Sequence, residues 1–251
     1  MKSRRVLAAA AIALFVVGLV FVRFDPGGAV PAISAAFVVI LALPSYVALW
    51  RWLGTRKAMG ILVVFSVLPL LVEGFGVATG FPYGSFSYAG TLGEPLFGLV
   101  PWTVSFAYLP IFLGAVTLAG RIAGTQWQRF IPATALFVVA VDLVIDPAAV
   151  VAGFWVWEHP GLYYGIPAVN FLGWALTGTI YGTLFFLAVR DRFEHGEPVP
   201  MSVAGSMILI LSFWSGYLLR EFLVIPVLVG WGLIGLTAYV WMQTGSRPGD
   251  G

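Results

Sequence analysis

Asp142 and Asp146 stand four residues apart inside the apolar stretch from Phe130 to Ala152. That stretch is long enough to cross a bilayer, and four helical residues rise about 6 Å along one face. An ionisable side chain in such a segment is costly and marks a functional site by default. Two on one face, joined by Glu73 from another apolar run, read as a buried acid site. The competing reading is a set of structural acids, hydrogen-bonded to neighbouring helices as polar glue.

Carboxyls on adjacent turns titrate as a coupled pair. A proton held on such a pair beside an apolar cavity makes a strong general acid. One bond that it can attack is an isoprenoid double bond. Protonation at the less substituted carbon leaves a tertiary carbocation, and aromatic faces stabilise a cation through their quadrupole. Trp155, Trp157, Tyr163, Tyr164 and Trp174 follow the acid segment and can supply such faces. For any single one of them, packing or interface anchoring is the simpler account. A water held by a carboxylate then completes a hydration. Asn170 and Trp174 share a face at the start of the next apolar run. Asn170 can hold that water or tie two helices together. None of this chemistry calls for a metal or a cofactor.

The elements that must position these residues are membrane spans. Of the 251 residues, 60% are hydrophobic and 10% charged, and the mean hydropathy is +0.97. No ordinary soluble domain has this composition. Apolar windows of spanning length fall at about 6–22, 30–50, 58–78, 101–120, 130–152, 166–189, 202–219 and 222–242. The expected fold is therefore all-α: a single transmembrane domain over 1–251, a polytopic bundle of about eight helices. Only Arg220 and Glu221 divide the last two windows, which form either a tight hairpin or one long broken helix; the latter leaves seven. Lys2, Arg4 and Arg5 precede the first window as in a signal peptide. That window is long for one and ends in Arg-Phe-Asp-Pro without a small-residue cleavage site, so a retained first span is expected.

Charge gives an orientation. With the N-terminus cytoplasmic, the inner segments carry Lys2, Arg4, Arg5, Arg51, Arg56, Lys57, Arg121, Arg129, Arg190, Arg192 and Arg247, which is eleven of the thirteen basic residues. The outer segments keep Arg23 and Arg220. This asymmetry predicts a multi-pass cell-membrane protein with both termini cytoplasmic. The basic residues are spread over short loops, so a pI near 9 is no sign of a nucleic-acid partner; membrane lipid surrounds the chain instead. The absence of cysteine excludes thiolate and iron–sulfur chemistry. The two histidines, His159 and His195, lie in loops far apart in sequence, which argues against a His-rich metal site. Lysine occurs only as Lys2 and Lys57, outside the spans, which excludes an intramembrane Schiff base. The outer loops 79–100 and 153–165 hold Gly, Pro, Tyr and Trp and no Lys or Arg. Phe81-Pro82-Tyr83-Gly84-Ser85-Phe86-Ser87-Tyr88 is dense in turn residues, which predicts a folded cap over a cavity.

Several segments together resemble a known family. They are Glu73-Gly74-Phe75-Gly76-Val77-Ala78-Thr79-Gly80-Phe81-Pro82-Tyr83-Gly84, then Val141-Asp142-Leu143-Val144-Ile145-Asp146-Pro147, then Gly153-Phe154-Trp155-Val156-Trp157. Tyr163-Tyr164-Gly165-Ile166-Pro167-Ala168-Val169-Asn170-Phe171-Leu172-Gly173-Trp174 completes the set. The pattern is similar to that of the membrane carotenoid hydratases, with motifs over about 60–190 and topology over the whole chain. The resemblance implies a hydro-lyase of carotenoid biosynthesis that adds water across terminal double bonds of an acyclic carotenoid. In the archaeal branch of the family that means bisanhydrobacterioruberin becoming bacterioruberin. Other carotenoid-pathway enzymes are then expected partners. The residue roles come from the chemistry above: Asp142, Asp146 and Glu73 as catalytic acids, with Tyr83, Trp155, Trp157, Tyr164, Asn170 and Trp174 around the substrate. Glu94 is less typical of the pattern and stays outside the site.

Two other classes remain open from the residues themselves. Membrane prenyltransferases also carry Asp-x-x-x-Asp on helices, where magnesium bridges a diphosphate. They need two acidic clusters and basic residues for the phosphates. Proton-coupled transporters relay protons through intramembrane acids, often in repeats with broken helices, and no repeat is visible here.

Overall fold

The computed structural model describes residues 2–22, 31–89 and 92–244. Arg23 and Arg247, which enter the charge argument, lie outside the described residues. The architecture is an all-α bundle, and eight helices are long and apolar enough to cross a membrane. They are α1 (Lys2–Val16, continued by a π-helical turn at Val17–Phe21), α2 (Pro31–Leu53), α3 (Thr55–Thr79), α4 (Val104–Ile122), α5 (Trp127–Val151), α6 (Ala168–Glu194), α7 (Gly205–Arg220, led by a 3₁₀ turn at Met201–Ala204) and α8 (Val224–Thr244). The last two windows form a tight hairpin. Phe222 takes a left-handed conformation there, φ 60°, which breaks the helix between α7 and α8. Several helices outrun their apolar windows. In α6 the final turn is charged and is held by Arg190 to Glu194, one turn apart at 2.7 Å.

Helices α4 and α7 form the interior. Their spanning windows are 78% and 83% buried, against 28% for α3 and 11% for α1. Between α2 and α7 a polar pair sits within an otherwise apolar contact. The Ser45 backbone N–H donates to the Ser206 hydroxyl at 3.0 Å, and the Ser206 N–H returns a bond to the Ser45 hydroxyl at 3.1 Å. Both hydroxyls continue to carbonyls, of Val203 and Ala42. Small side chains that bond across helices are a recurrent solution where lipid offers no hydrophobic drive. The α1–α7 crossing is closer still. A Cβ on Gly18 would collide with the Phe213 carbonyl oxygen, and one on Gly216 with that of Phe15.

The α3–α4 and α5–α6 connections fold together over one end of the bundle. Strand β1 (Phe86–Tyr88) pairs antiparallel with β4 (Trp155–Trp157), in register Phe86 to Trp157 and Tyr88 to Trp155. A second, shorter ribbon joins β2 (Pro95–Leu96) to β3 (Val100–Pro101). The folded cap expected from the turn-rich segment is thus shared between two loops. It seats on α6 at Gly173, where a Cβ would come within 2.6 Å of the Tyr83 ring and 2.7 Å of the Pro82 carbonyl oxygen. At the opposite end an ion pair of Lys57 with Asp191 ties α3 to α6, and Arg192 pairs at 2.8 Å with Glu197 just beyond the end of α6.

Candidate functional site

Asp142 and Asp146 sit on successive turns of α5, 2% and 3% exposed. Pro147 follows directly. Having no N–H, it leaves the carbonyl of Leu143, four residues back, without a helical donor. The Tyr163 hydroxyl, from the cap, donates to that carbonyl at 2.8 Å. The acid turn of α5 is therefore completed from outside its own helix. Across from it, Pro167 starts α6 and puts Asn170 in the first turn. The Asn170 side-chain nitrogen donates one bond to Asp142 Oδ2 at 3.0 Å and a second, very short, to Asp146 Oδ2. One amide thus spends both hydrogens holding two carboxyls face to face.

Glu73 approaches from α3, also buried. It accepts a 3.0 Å bond from the Tyr88 hydroxyl of β1. Burial, and then the Glu73 carboxylate beside it, hold the Tyr88 phenol well above its usual range, so it remains a donor. Burial and Glu73 push the Tyr83 phenol the same way. Tyr83 donates weakly to the Thr177 hydroxyl at 3.4 Å and leans on Trp174, with 5.5 Å between ring centres. Among the described residues, none of the three acids forms an ion pair. Arg220, the one described Lys or Arg at the capped end, bonds the Val22 carbonyl and lies 3.8 Å from Glu221.

Two chambers meet at Glu73 and Asp146. The larger encloses about 130 Å³. It is walled by Phe37, Leu41, Tyr108, Ile111, Ile145, Ile210 and Trp214, with Glu73, Asp142 and Asp146 at one side. That volume is comparable with the ~150 Å³ apolar cavity that takes up a six-carbon ring. The smaller chamber, of about 30 Å³, lies under the cap and is lined by Tyr83, Phe86, Trp157 and Asn170. Glu73, Asp146, Tyr88, Trp155 and Trp174 border both.

The residues singled out from sequence fall into three groups. Glu73, Asp142, Asp146, Trp155 and Trp174 reach the larger chamber. Tyr83, Trp157 and Asn170 reach only the smaller one. Tyr164 lines neither chamber. Its left-handed backbone, φ 50°, turns it against Tyr163, ring centres 5.0 Å apart. Tyr163 also stays out, its hydroxyl committed to Leu143. Glu94 lies exposed on the cap. The sequence reading passed over Tyr88 as a partner for Glu73, and over Tyr108. Tyr108 stacks on Trp174 at 5.3 Å in the wall of the larger chamber. The pairing of the two loops that delivers Tyr88 has no local signal, and Tyr108 sits in an apolar helix with no charged neighbour to mark it.

The arrangement can hold a proton on buried carboxyls beside a hydrocarbon-sized space edged by aromatic rings. Among the described residues, no three His, Asp or Glu side chains converge as metal ligands.

Comparisons with known proteins bear on this site. Residues 28–237 match the family model described as carotenoid biosynthesis protein. A bisanhydrobacterioruberin hydratase of Haloarcula japonica is 39% identical over 134 residues, which is 52% of this chain and 45% of that protein. The chain thus covers about half the length of that curated relative. No solved structure matches. With the family match running over most of the chain and all three buried acids within it, the chain belongs to the carotenoid biosynthesis proteins, as a polytopic membrane member.

Proposed function

We propose that the protein is a carotenoid hydratase, a hydro-lyase that adds water across a terminal isoprenoid double bond of an acyclic carotenoid. The observation that carries this reading is the set of three buried carboxyls, without ionic partners among the described residues, that line one apolar chamber, two of them, Glu73 and Asp146, also bordering a small second chamber. The apolar chamber takes the end of the polyene. A carboxyl of the Asp142–Asp146 pair gives its proton to the less substituted alkene carbon. The faces of Trp174, Trp155 and Tyr108 support the tertiary cation. The oxygen of a water bonds to the cationic carbon, and a proton of that water returns to a carboxylate. The sum is alkene plus water giving a tertiary alcohol, with the acids restored. The name of the Haloarcula japonica relative favours bisanhydrobacterioruberin as the substrate and bacterioruberin as the product.

The test is expression in a host that accumulates an acyclic carotenoid, followed by mass analysis. Products heavier by one or two waters are expected, and purified enzyme should keep that activity in EDTA without nucleotide. Activity lost in EDTA and restored by magnesium with an isoprenoid diphosphate would mean prenyl transfer instead. Uptake of unchanged substrate into proteoliposomes would mean transport. The few basic groups at the capped end weigh against a diphosphate site there.

A further inference from the structure

Trp157 is buried, 6% exposed, and its indole N–H has no acceptor among the described residues. An indole nitrogen can only donate, and buried donors in folded proteins are paired. Trp157 belongs to the wall of the smaller chamber. Several other polar groups there are committed: the Tyr88 hydroxyl to Glu73, the Asn170 side-chain nitrogen to the two aspartates, and the Tyr83 hydroxyl to Thr177. The occupant must therefore accept an N–H bond. It must also be compatible with the carboxyls of Glu73 and Asp146, which disfavours an anion, and a cation cannot accept from the indole. About 30 Å³ exceeds the ~10–15 Å³ that one water needs and falls far short of the ~150 Å³ that takes a six-carbon ring.

We infer that the chamber beneath Trp157 is the binding site of the reacting water, with the Trp157 N–H as its donor. This inference rests on the hydratase reading above and deepens it. Water accepts from the indole and donates to Asp146 or Glu73, both of which border the two chambers. Its oxygen lone pair is then free to form the C–O bond when proton transfer from the carboxyl has formed the C–H bond. The proton that the water loses passes to a carboxylate, so one water is consumed and the acids recover their proton count. Trp157 is in this account a positioning residue for water and plays no part in protonating the alkene.

That division sets the experiment. In D₂O, a cation that is not captured by water loses a proton and returns alkene, carrying deuterium into recovered substrate. Trp157→Phe removes the N–H donor together with part of the indole's bulk and keeps an aromatic ring for Phe86, now 5.1 Å from the indole. It should lower hydration about tenfold, leave the KM for carotenoid within about twofold, and raise deuterium in recovered substrate relative to alcohol formed. Trp157→His, which restores an N–H, should recover part of the hydration. Unchanged hydration in W157F, or hydration and exchange falling by one common factor, overturns the inference. A second measurement needs no turnover. In protein carrying ¹⁵N-labelled indoles, the Trp157 N–H, assigned by its loss in W157F, should show a through-space cross-peak to a long-lived water. A missing cross-peak overturns the water site whatever the activity. A wild type that shows the cross-peak yet adds no water to acyclic carotenoids overturns the hydratase reading instead.

Discussion

Asn170 decides what the two aspartates can do. Its single amide nitrogen bonds both carboxyls, which fixes their facing oxygens. Spacing alone made Asp142 and Asp146 legible, because four residues on a helix is one turn and charge in an apolar run is costly. Glu73 was legible for the second of those reasons. Asn170 had two readings in sequence, water holder or helix tie, and its hydrogen bonds favour the tie. The prediction at this scale concerns the acids. Asp142→Asn and Asp146→Asn should each lower turnover by about 10²-fold or more, the usual worth of a positioned general acid. Folded yield should hold, because an amide still fills the space and still bonds. Purely structural acids would give the reverse pattern, poor yield with normal activity per folded molecule. Yield and water addition measured on the same preparations separate the two.

Helix α5 cannot close its own acid turn. Pro147 orphans the Leu143 carbonyl, and the Tyr163 hydroxyl supplies the missing donor from the α5–α6 loop. Tyr163→Phe keeps the edge contact with Phe171, at 5.6 Å, but leaves that carbonyl unpaired. The expected cost is about 1–3 kcal/mol, read as a lowered Tm in detergent, and an unchanged Tm would show that the carbonyl finds another donor. Proline in a span is visible in any sequence. Which side chain repairs the break is not, since Tyr163 reaches back twenty residues through a loop whose course depends on the whole cap. The cap itself was half legible. The turn residues of 81–88 announced a folded loop, but strand pairing with Trp155–Trp157 is a contact between separate loops, and nothing in either strand encodes its partner.

The bundle as a whole followed from apolar windows, because a lipid-spanning helix must be apolar over a fixed length. Which helices lie inside did not follow. The interior helices α4 and α7 have mean hydropathies of only 1.4 and 1.6, while the lipid-facing α2 and α3 reach 2.1 and 2.3. The physical reason is that lipid is as apolar as leucine, so burial within the bundle selects for small and bonding side chains instead. Orientation belongs to this scale too. Arg4, Arg5, Arg51, Arg56, Arg121, Arg129, Arg190 and Arg192 gather toward the end opposite the cap. That end should face the cytoplasm. Single cysteines placed at Ser87 and at Thr55 in this cysteine-free chain should react with an impermeant label from opposite sides of the membrane, Ser87 from outside. Labelling of both from one side would overturn the topology.

The α1–α7 crossing has a consequence for how the chain tolerates change. Gly18 and Gly216 each face a backbone oxygen of the other helix, and backbone, unlike a side chain, cannot rotate away. The two positions form a lock remote from the acids, and a single methyl at either one has to push the helices apart. Gly60, Gly232 and Gly235 have open space around them and lie in helix interiors. There alanine should be neutral or gain up to about 1 kcal/mol through helix propensity. In a scan of alanine substitutions scored by folded yield, glycines of one composition should thus split into two populations. Gly18 and Gly216 would rank with the most sensitive positions in the molecule although neither borders a chamber. A flat score across all five would mean that α1 rides on α7 loosely enough to be displaced.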